Sequence, residues 1–285
     1  MSQKRIALIT DSTCDIPAAL LAQYGIYVQA HIVIWGEHQY RDRLEIQPEE
    51  FYRRLGADAV MPTTSQATVA DFSMMYQKAC DDGAEEIVVI SVSSQLSGAY
   101  QSAMGAVEFA RVPVRVFDSR MVTMGLGWQV LAAARARESG GDAADMLAAA
   151  DRVRRRVQLY ICLDTLEYVY RGGRIGNASR FVGTLLNIKP LITVDHDSGI
   201  VEPVSMAMTR RKSVDMLYSK FFSLLDTRQK MRIAVLHGDA SKEASSLAER
   251  VRRDYNPVEL FTDITGPALG IHTGPQALAL CGYSE

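Results

Sequence analysis

The chain has 285 residues, 48% hydrophobic and 22% charged, with a formal net charge of −2; that length and balance allow one large or two ordinary domains and argue against a broad nucleic-acid or anionic-membrane surface. Cys14, Cys80, Cys162 and Cys281 show no Cys-x-x-Cys spacing and read as reduced thiols. No apolar run approaches the roughly 20 residues needed to cross a bilayer, and MSQKRIALIT enters an apolar run with no leader pattern, so a soluble, cytoplasmic protein is expected.

Arg5–Thr10 predicts a strand, followed by Asp11-Ser12-Thr13-Cys14-Asp15 and a helix with Pro17 in its first turn. Tyr27–Trp35 is β-rich, and Gly36–Leu44 reads as a hairpin or extended arm before a short helix over Pro48–Leu55. Met61–Thr68 carries four hydroxyls, Thr63, Thr64, Ser65 and Thr68, ahead of a helix at Val69–Cys80. Plain helix capping requires only one of them. Ile87–Val92 is a short β-branched run that predicts a buried strand. It leads through Ser93-Ser94-Gln95-Leu96-Ser97-Gly98 into an Ala-rich helical segment.

Val114–Asp118 predicts a further strand. Met124–Val130 resembles the start of a dinucleotide fingerprint, but Val130 stands where the third glycine belongs, so close helix packing is expected and NAD binding is not. Two Ala-rich helices extend to Val157, and the DRVRRR run at Asp151–Arg156 reads as a solvated face. The alternation of strand, turn and helix implies an N-terminal, mostly parallel Rossmann-like sheet over residues 1–157, with an extended arm near 31–60. Residues 158–285 read as a second α/β domain with a mixed sheet. There, strands at Gln158–Leu163 and Pro190–Val194 flank helices at Thr165–Tyr170 and Asn177–Asn187. A hairpin turn at His196–Gly199 follows, then a helix (Arg210–Leu225), a strand (Arg232–His237), a helix (Ser241–Tyr255) and a strand (Val258–Thr262). Gly266–Pro275 reads as a loop and Ala277–Leu280 as an apolar run.

The missing motifs narrow the chemistry. There is no P-loop, no G-x-S-x-G elbow and no His or Cys pair at metal spacing, so no metal site and no cofactor are expected. The turn after the Ile87–Val92 strand has hydroxyls at Ser93, Ser94 and Ser97 and no Lys, Arg, Asp or Glu. A strand-to-helix turn of that kind suits a small anion such as a single carboxylate rather than a polyphosphate. Helix capping explains the same serines without a ligand. His272, flanked by Gly270 and Gly274, is the candidate donor histidine, with His237-Gly238-Asp239 as the competing choice.

These segments, taken together, resemble the DegV family, fatty-acid-binding proteins that include the acyl-carrier subunits of bacterial fatty acid kinase. The resemblance rests on Thr10-Asp11-Ser12, Thr64-Ser65-Gln66, the run Ser93–Ala103, Leu166-Glu167-Tyr168 with Arg171-Gly172-Gly173-Arg174, the run Leu185–Pro190, and His272-Thr273-Gly274-Pro275. They keep the family order and span nearly the whole chain. The resemblance implies two α/β domains with a long-chain fatty acid between them, its tail in a tunnel. It assigns the carboxylate to Thr64, Ser65, Ser94, Ser97, Gly98 and His272. It also implies an ATP-dependent kinase partner that phosphorylates the bound carboxylate, with Arg171 and Arg174 in docking, and a carrier that is not itself catalytic. Two positions depart from the pattern: Met208 stands where many members carry Arg, and Gln276 replaces a usual Gly.

A tail of about fifteen methylenes at roughly 0.8 kcal/mol each would gain about 12 kcal/mol on full burial, against about 1 kcal/mol per neutral hydrogen bond. Affinity should therefore reside in the tail and orientation in the head group. A different class of function, a small-molecule hydrolase or transferase using Ser97 with His272, lacks a third triad member. A nucleic-acid regulator has only the arginine runs in its favour.

Overall fold

A computed structural model describes residues 4–181 and 188–285. β1 (Ile6–Asp11) leads through α1 (Ala18–Gln23) to β2 (Ile26–Gln29), β3 (Ile32–Trp35) and β4 (His38–Arg41). Then come α2 (Pro48–Leu55), β5 (Thr63–Ser65), α3 (Val69–Asp81), β6 (Glu86–Ser91), α4 (Ala99–Gly105) and β7 (Val114–Asp118). Helices α5 (Met124–Glu138) and α6 (Ala143–Arg154) precede β8 (Gln158–Cys162) and α7 (Glu167–Arg171). β9 (Lys189–Val194), β10 (Val201–Ala207), α8 (Arg210–Phe222) and β11 (Met231–His237) follow, then α9 (Ser241–Tyr255), β12 (Glu259–Ile264), α10 (Pro267–Thr273) and β13 (Leu278–Ser284).

The described residues form two compact units. The first runs to Ile32, resumes over Ser65–Arg155 and includes the turn His196–Gly199; the second comprises Val33–Thr64, Arg156–Asp195 and Ile200–Glu285. This grouping differs from a continuous first domain over 1–157, because the arm counts with the second unit. The cause is packing: Trp35, Ile46, Phe51, Tyr52 and Leu55 share a buried cluster with Ile271.

The first unit is built on a parallel sheet in the order β2-β1-β6-β7. Every residue of β1 and β6 is buried, the pattern of strands covered on both faces. The chain leaves β1 toward β2 on one side, while β6 lies on the other, so the carboxyl ends of β1 and β6 form the switch point where such sheets bind ligands. Helix α5 buries ten residues, among them Trp128. Its Met124–Val130 start serves close packing, since a Cβ on Gly127 would lie 2.6 Å from the Cys14 carbonyl oxygen. The expected single run at Tyr27–Trp35 divides into β2 and β3 in different sheets, with Ala30-His31 between them.

In the second unit a six-stranded mixed sheet has the order β10-β9-β8-β13-β11-β12. β13 runs antiparallel to both β8 and β11. Leu217, Phe221, Leu247 and Val251 of the two long helices pack with Ile233, Val235 and Leu280 of the sheet. A smaller sheet has the order β4-β3-β5. Two expectations change here. Gly266–Pro275 is not a loop: Pro267–Thr273 forms helix α10, with Pro267 at its start. Where the helix expected at Asn177–Asn187 would begin, Gly176–Phe181 forms a 3-10 turn; residues 182–187, with Leu185-Leu186-Asn187 among them, lie outside the described residues.

Candidate functional site

Of the four hydroxyls before α3, one is the cap. Thr68 Oγ1 accepts from the Asp71 N–H, and Asp71 accepts from the Thr68 N–H, forming a reciprocal capping box. Thr63, Thr64 and Ser65 lie instead in β5. The Thr64 side chain reaches α10, where Thr64 Oγ1 and His272 Nε2 share a hydrogen bond of 3.1 Å whose direction follows the imidazole tautomer. Both residues belong to the second unit and both are half-buried.

The Arg-Gly-Gly-Arg segment frames the far side of that imidazole. A Cβ on Gly172 would lie 2.8 Å from His272 Cε1 and nearer still to Nδ1, so the ring rests against the bare backbone of Gly172. Gly274 has φ +71°, and a Cβ there would meet the Tyr168 ring, with Cε2 at 2.6 Å. Arg174 Nη1 donates back to the Gly172 carbonyl at 2.8 Å. Arg171 is exposed and pairs with Glu167 at 2.8 Å.

In the first unit, Gln66 and the serine turn are neighbours, since a Cβ on Gly98 would lie 2.9 Å from the Gln66 amide nitrogen. Ser97 Oγ accepts from the Ala99 N–H at 3.2 Å, and Gly98 opens α4. Ser65 Oγ makes a long local contact to the Gln66 carbonyl at 3.4 Å. Ser93 Oγ donates to the Gly199 carbonyl at 2.8 Å. Although the turn carries no charge in sequence, space supplies one. Asp118 at the end of β7 accepts from Ser94 N–H at 3.1 Å and from Ser94 Oγ at 2.6 Å. The Ser94 hydroxyl proton is thus committed, whereas Ser97 Oγ is engaged among the described residues only as the acceptor of the Ala99 N–H.

Behind the turn, the fully buried Asp11 accepts from Val92 N–H at 2.8 Å, Ser91 Oγ at 3.1 Å, Thr13 Oγ1 at 2.6 Å and Thr13 N–H at 3.2 Å. His31 Nε2 stands 3.5 Å away. Burial alone would push the Asp11 carboxyl up; the hydrogen bonds of His31 and Thr13, the charge of His31 and the Val92 amide together hold it below its ordinary value.

Sequence reasoning gave no role to Asp118, Gln66 or Gly172. The first was visible only as an acid at a strand end, and the other two only as members of a motif. The competing histidine, His237, is tied to the turn before α9: its Nδ1 accepts from the Ala240 N–H at 3.2 Å, and burial pushes its imidazole down. Of the two departures, Met208 is exposed. Gln276 takes φ +63°, the left-handed region that favours glycine, and its Nε2 donates to the Asp239 carbonyl at 3.0 Å. Among the described residues no group of three or more His, Cys, Asp or Glu is placed to hold a metal ion. None of their helices is long and apolar enough to cross a membrane.

A family model described as "Uncharacterised protein, DegV family" matches residues 5–285. A DegV domain-containing protein of Streptomyces coelicolor is 33% identical over 278 residues, 97% of this chain and 98% of its own. Among solved structures, a DegV family protein from Thermus thermophilus described by its fatty acid binding superposes with TM-score 0.92 at 33% identity, covering 99% of this chain and 100% of its own. DegV from Bacillus subtilis, described as a fatty acid binding protein, gives 0.91 at 28% identity with the same coverage. The chain belongs to the DegV family.

Proposed function

We propose that this protein binds a long-chain fatty acid, its tail in a buried tunnel, and presents the carboxylate to an ATP-dependent partner kinase for acyl-phosphate formation. It would contribute no catalytic group of its own. The observation that carries the reading is the Thr64–His272 pair, a hydroxyl and an imidazole linked at 3.1 Å on adjoining elements. Such groups orient one carboxylate without the Lys or metal that a polyphosphate demands. In the first unit, Ser65, Ser97 and Gly98 offer further donors, and Ser94 steadies the turn through Asp118. Relatives described as fatty acid binding, at 33% and 28% identity, support the ligand class. The kinase partner rests on the family resemblance, with the exposed Arg171 as its point of contact and Arg174 shaping the turn beside it.

In the proposed exchange, an oxygen of the bound carboxylate attacks the terminal phosphorus of ATP, the bridging P–O bond breaks, and ADP leaves. This chain's part is to hold and aim the head group. Thr64→Ala should therefore lower acyl-phosphate formation by the kinase more than it lowers lipid occupancy. Mass spectrometry of an organic extract from freshly purified protein should identify a fatty acid. An empty extract, with no binding on adding one, would defeat the ligand assignment; equal losses of occupancy and phosphorylation in Thr64→Ala would defeat the division of labour.

A further inference from the structure

The serine turn that would meet the ligand carboxylate carries a negative charge at its back. Asp118 is acceptor-only in its contacts, taking Ser94 N–H at 3.1 Å, Ser94 Oγ at 2.6 Å and Arg120 N–H at 2.9 Å. The guanidinium of Arg120 is directed elsewhere, with Nη1 donating to the Asp197 carbonyl. Asp11, the other carboxylate at this switch point, faces His31 at 3.5 Å. We infer that Asp118 is a specificity-determining residue: it makes the turn accept a singly charged carboxylate head group and reject a doubly charged phosphate. The inference rests on the fatty-acid reading above.

Asp118 is bonded to Ser94, three residues before the Ser97 donor in the same tight turn, so a bound anion would stand on the order of 7 Å from its carboxylate. Repulsion of each additional ligand charge at that range, for an effective dielectric between about 20 and 80, corresponds to a factor between about three and about fifty. A carboxylate feels this once and a dianionic phosphate twice. An acyl phosphate formed on the protein would meet the same repulsion, which favours its release. Hydroxyls alone would not discriminate in this way, because they serve carboxylate and phosphate oxygens equally.

The test compares hexadecanoic acid with hexadecyl phosphate by displacement of a fluorescent fatty acid, at about pH 8, where the phosphate is a dianion. The intact protein should prefer the carboxylate. Asp118→Asn keeps the shape of the side chain and should raise the phosphate-to-carboxylate affinity ratio about tenfold, whereas Glu138→Gln, an exposed acid of the same unit, should leave it alone. A merely structural role would weaken both ligands together and leave the ratio fixed, and that result overturns the inference, as would a change of less than about twofold. Asp118→Ser supplies a second neutral variant. In the unmodified protein, added salt should also move the ratio toward the phosphate; a ratio indifferent to salt counts against the inference without any variant. If neither amphiphile binds, the fatty-acid reading itself fails, which is a different outcome.

Discussion

Gly172→Ala isolates the contribution of the Arg-Gly-Gly-Arg turn to the histidine beside it. A methyl group there would stand 2.8 Å from His272 Cε1 and closer to Nδ1, while ordinary contact begins at 3.4 Å, so the imidazole must retreat by at least about 0.6 Å. The chain cannot absorb the clash by moving the other way, because the same methyl lies 3.1 Å from the Tyr168 carbonyl oxygen. The Thr64–His272 bond, at 3.1 Å, tolerates only about 0.4 Å before it passes the useful limit near 3.5 Å. A ring displaced by that much, whether driven against Thr64 or turned past it, cannot keep the 3.1 Å geometry, so the substitution should disrupt that bond. The cost is about 1 kcal/mol for the hydrogen bond and roughly 1–3 kcal/mol for overpacking. A long-range proton–nitrogen spectrum of the histidine rings reports the event directly: the His272 resonances should move in Gly172→Ala. Thr64→Val should then cost nothing further in stability, although it costs about 1 kcal/mol in the unmodified protein. Unmoved His272 resonances, or additive losses in the double variant, would refute the reasoning.

Three other outcomes follow from the geometry. Gln276 occupies a left-handed conformation at φ +63°, so Gln276→Gly should raise the urea midpoint, by up to about 1 kcal/mol in stability after the lost Nε2 bond to Asp239 is discounted; a lower midpoint would show that this bond outweighs the strain. Asp11 has its carboxyl held below the ordinary value. Its contribution is complete above the unfolded value near 3.9 and is lost as pH falls through the folded one. Asp11→Asn should cost roughly 3 kcal/mol at neutral pH and flatten the acid limb of a stability-versus-pH curve; an unchanged limb would remove Asp11 from the explanation. Cys14, Cys162 and Cys281 are buried and Cys80 is partly exposed. For Cys162 burial pushes the thiol up, although Arg210 and Ser213 both donate to its sulfur. A thiol reagent should consume Cys80 first and the other three only on unfolding; prompt labelling of Cys162 in the native protein would contradict this.

The amino-acid sequence by itself determined most of the regular elements and the family resemblance. The apolar runs Arg5–Thr10 and Ile87–Val92 read as strands and form the buried β1 and β6, and Pro48 and the hydroxyl-rich stretch before Val69 marked helix starts by rules that act within a few residues. The hydroxyl-rich turns were legible for the same reason. Tertiary structure decided which of those hydroxyls serve as caps and which reach other elements. It turned Ser94 toward Asp118, 24 residues away, and brought Thr64 to His272 across 208 residues. It also assigned the arm to the second unit and set β13 between two antiparallel neighbours. Capping and periodicity are local energies written along the chain, whereas these pairings depend on packing and strand register between distant segments, which no short window of residues encodes.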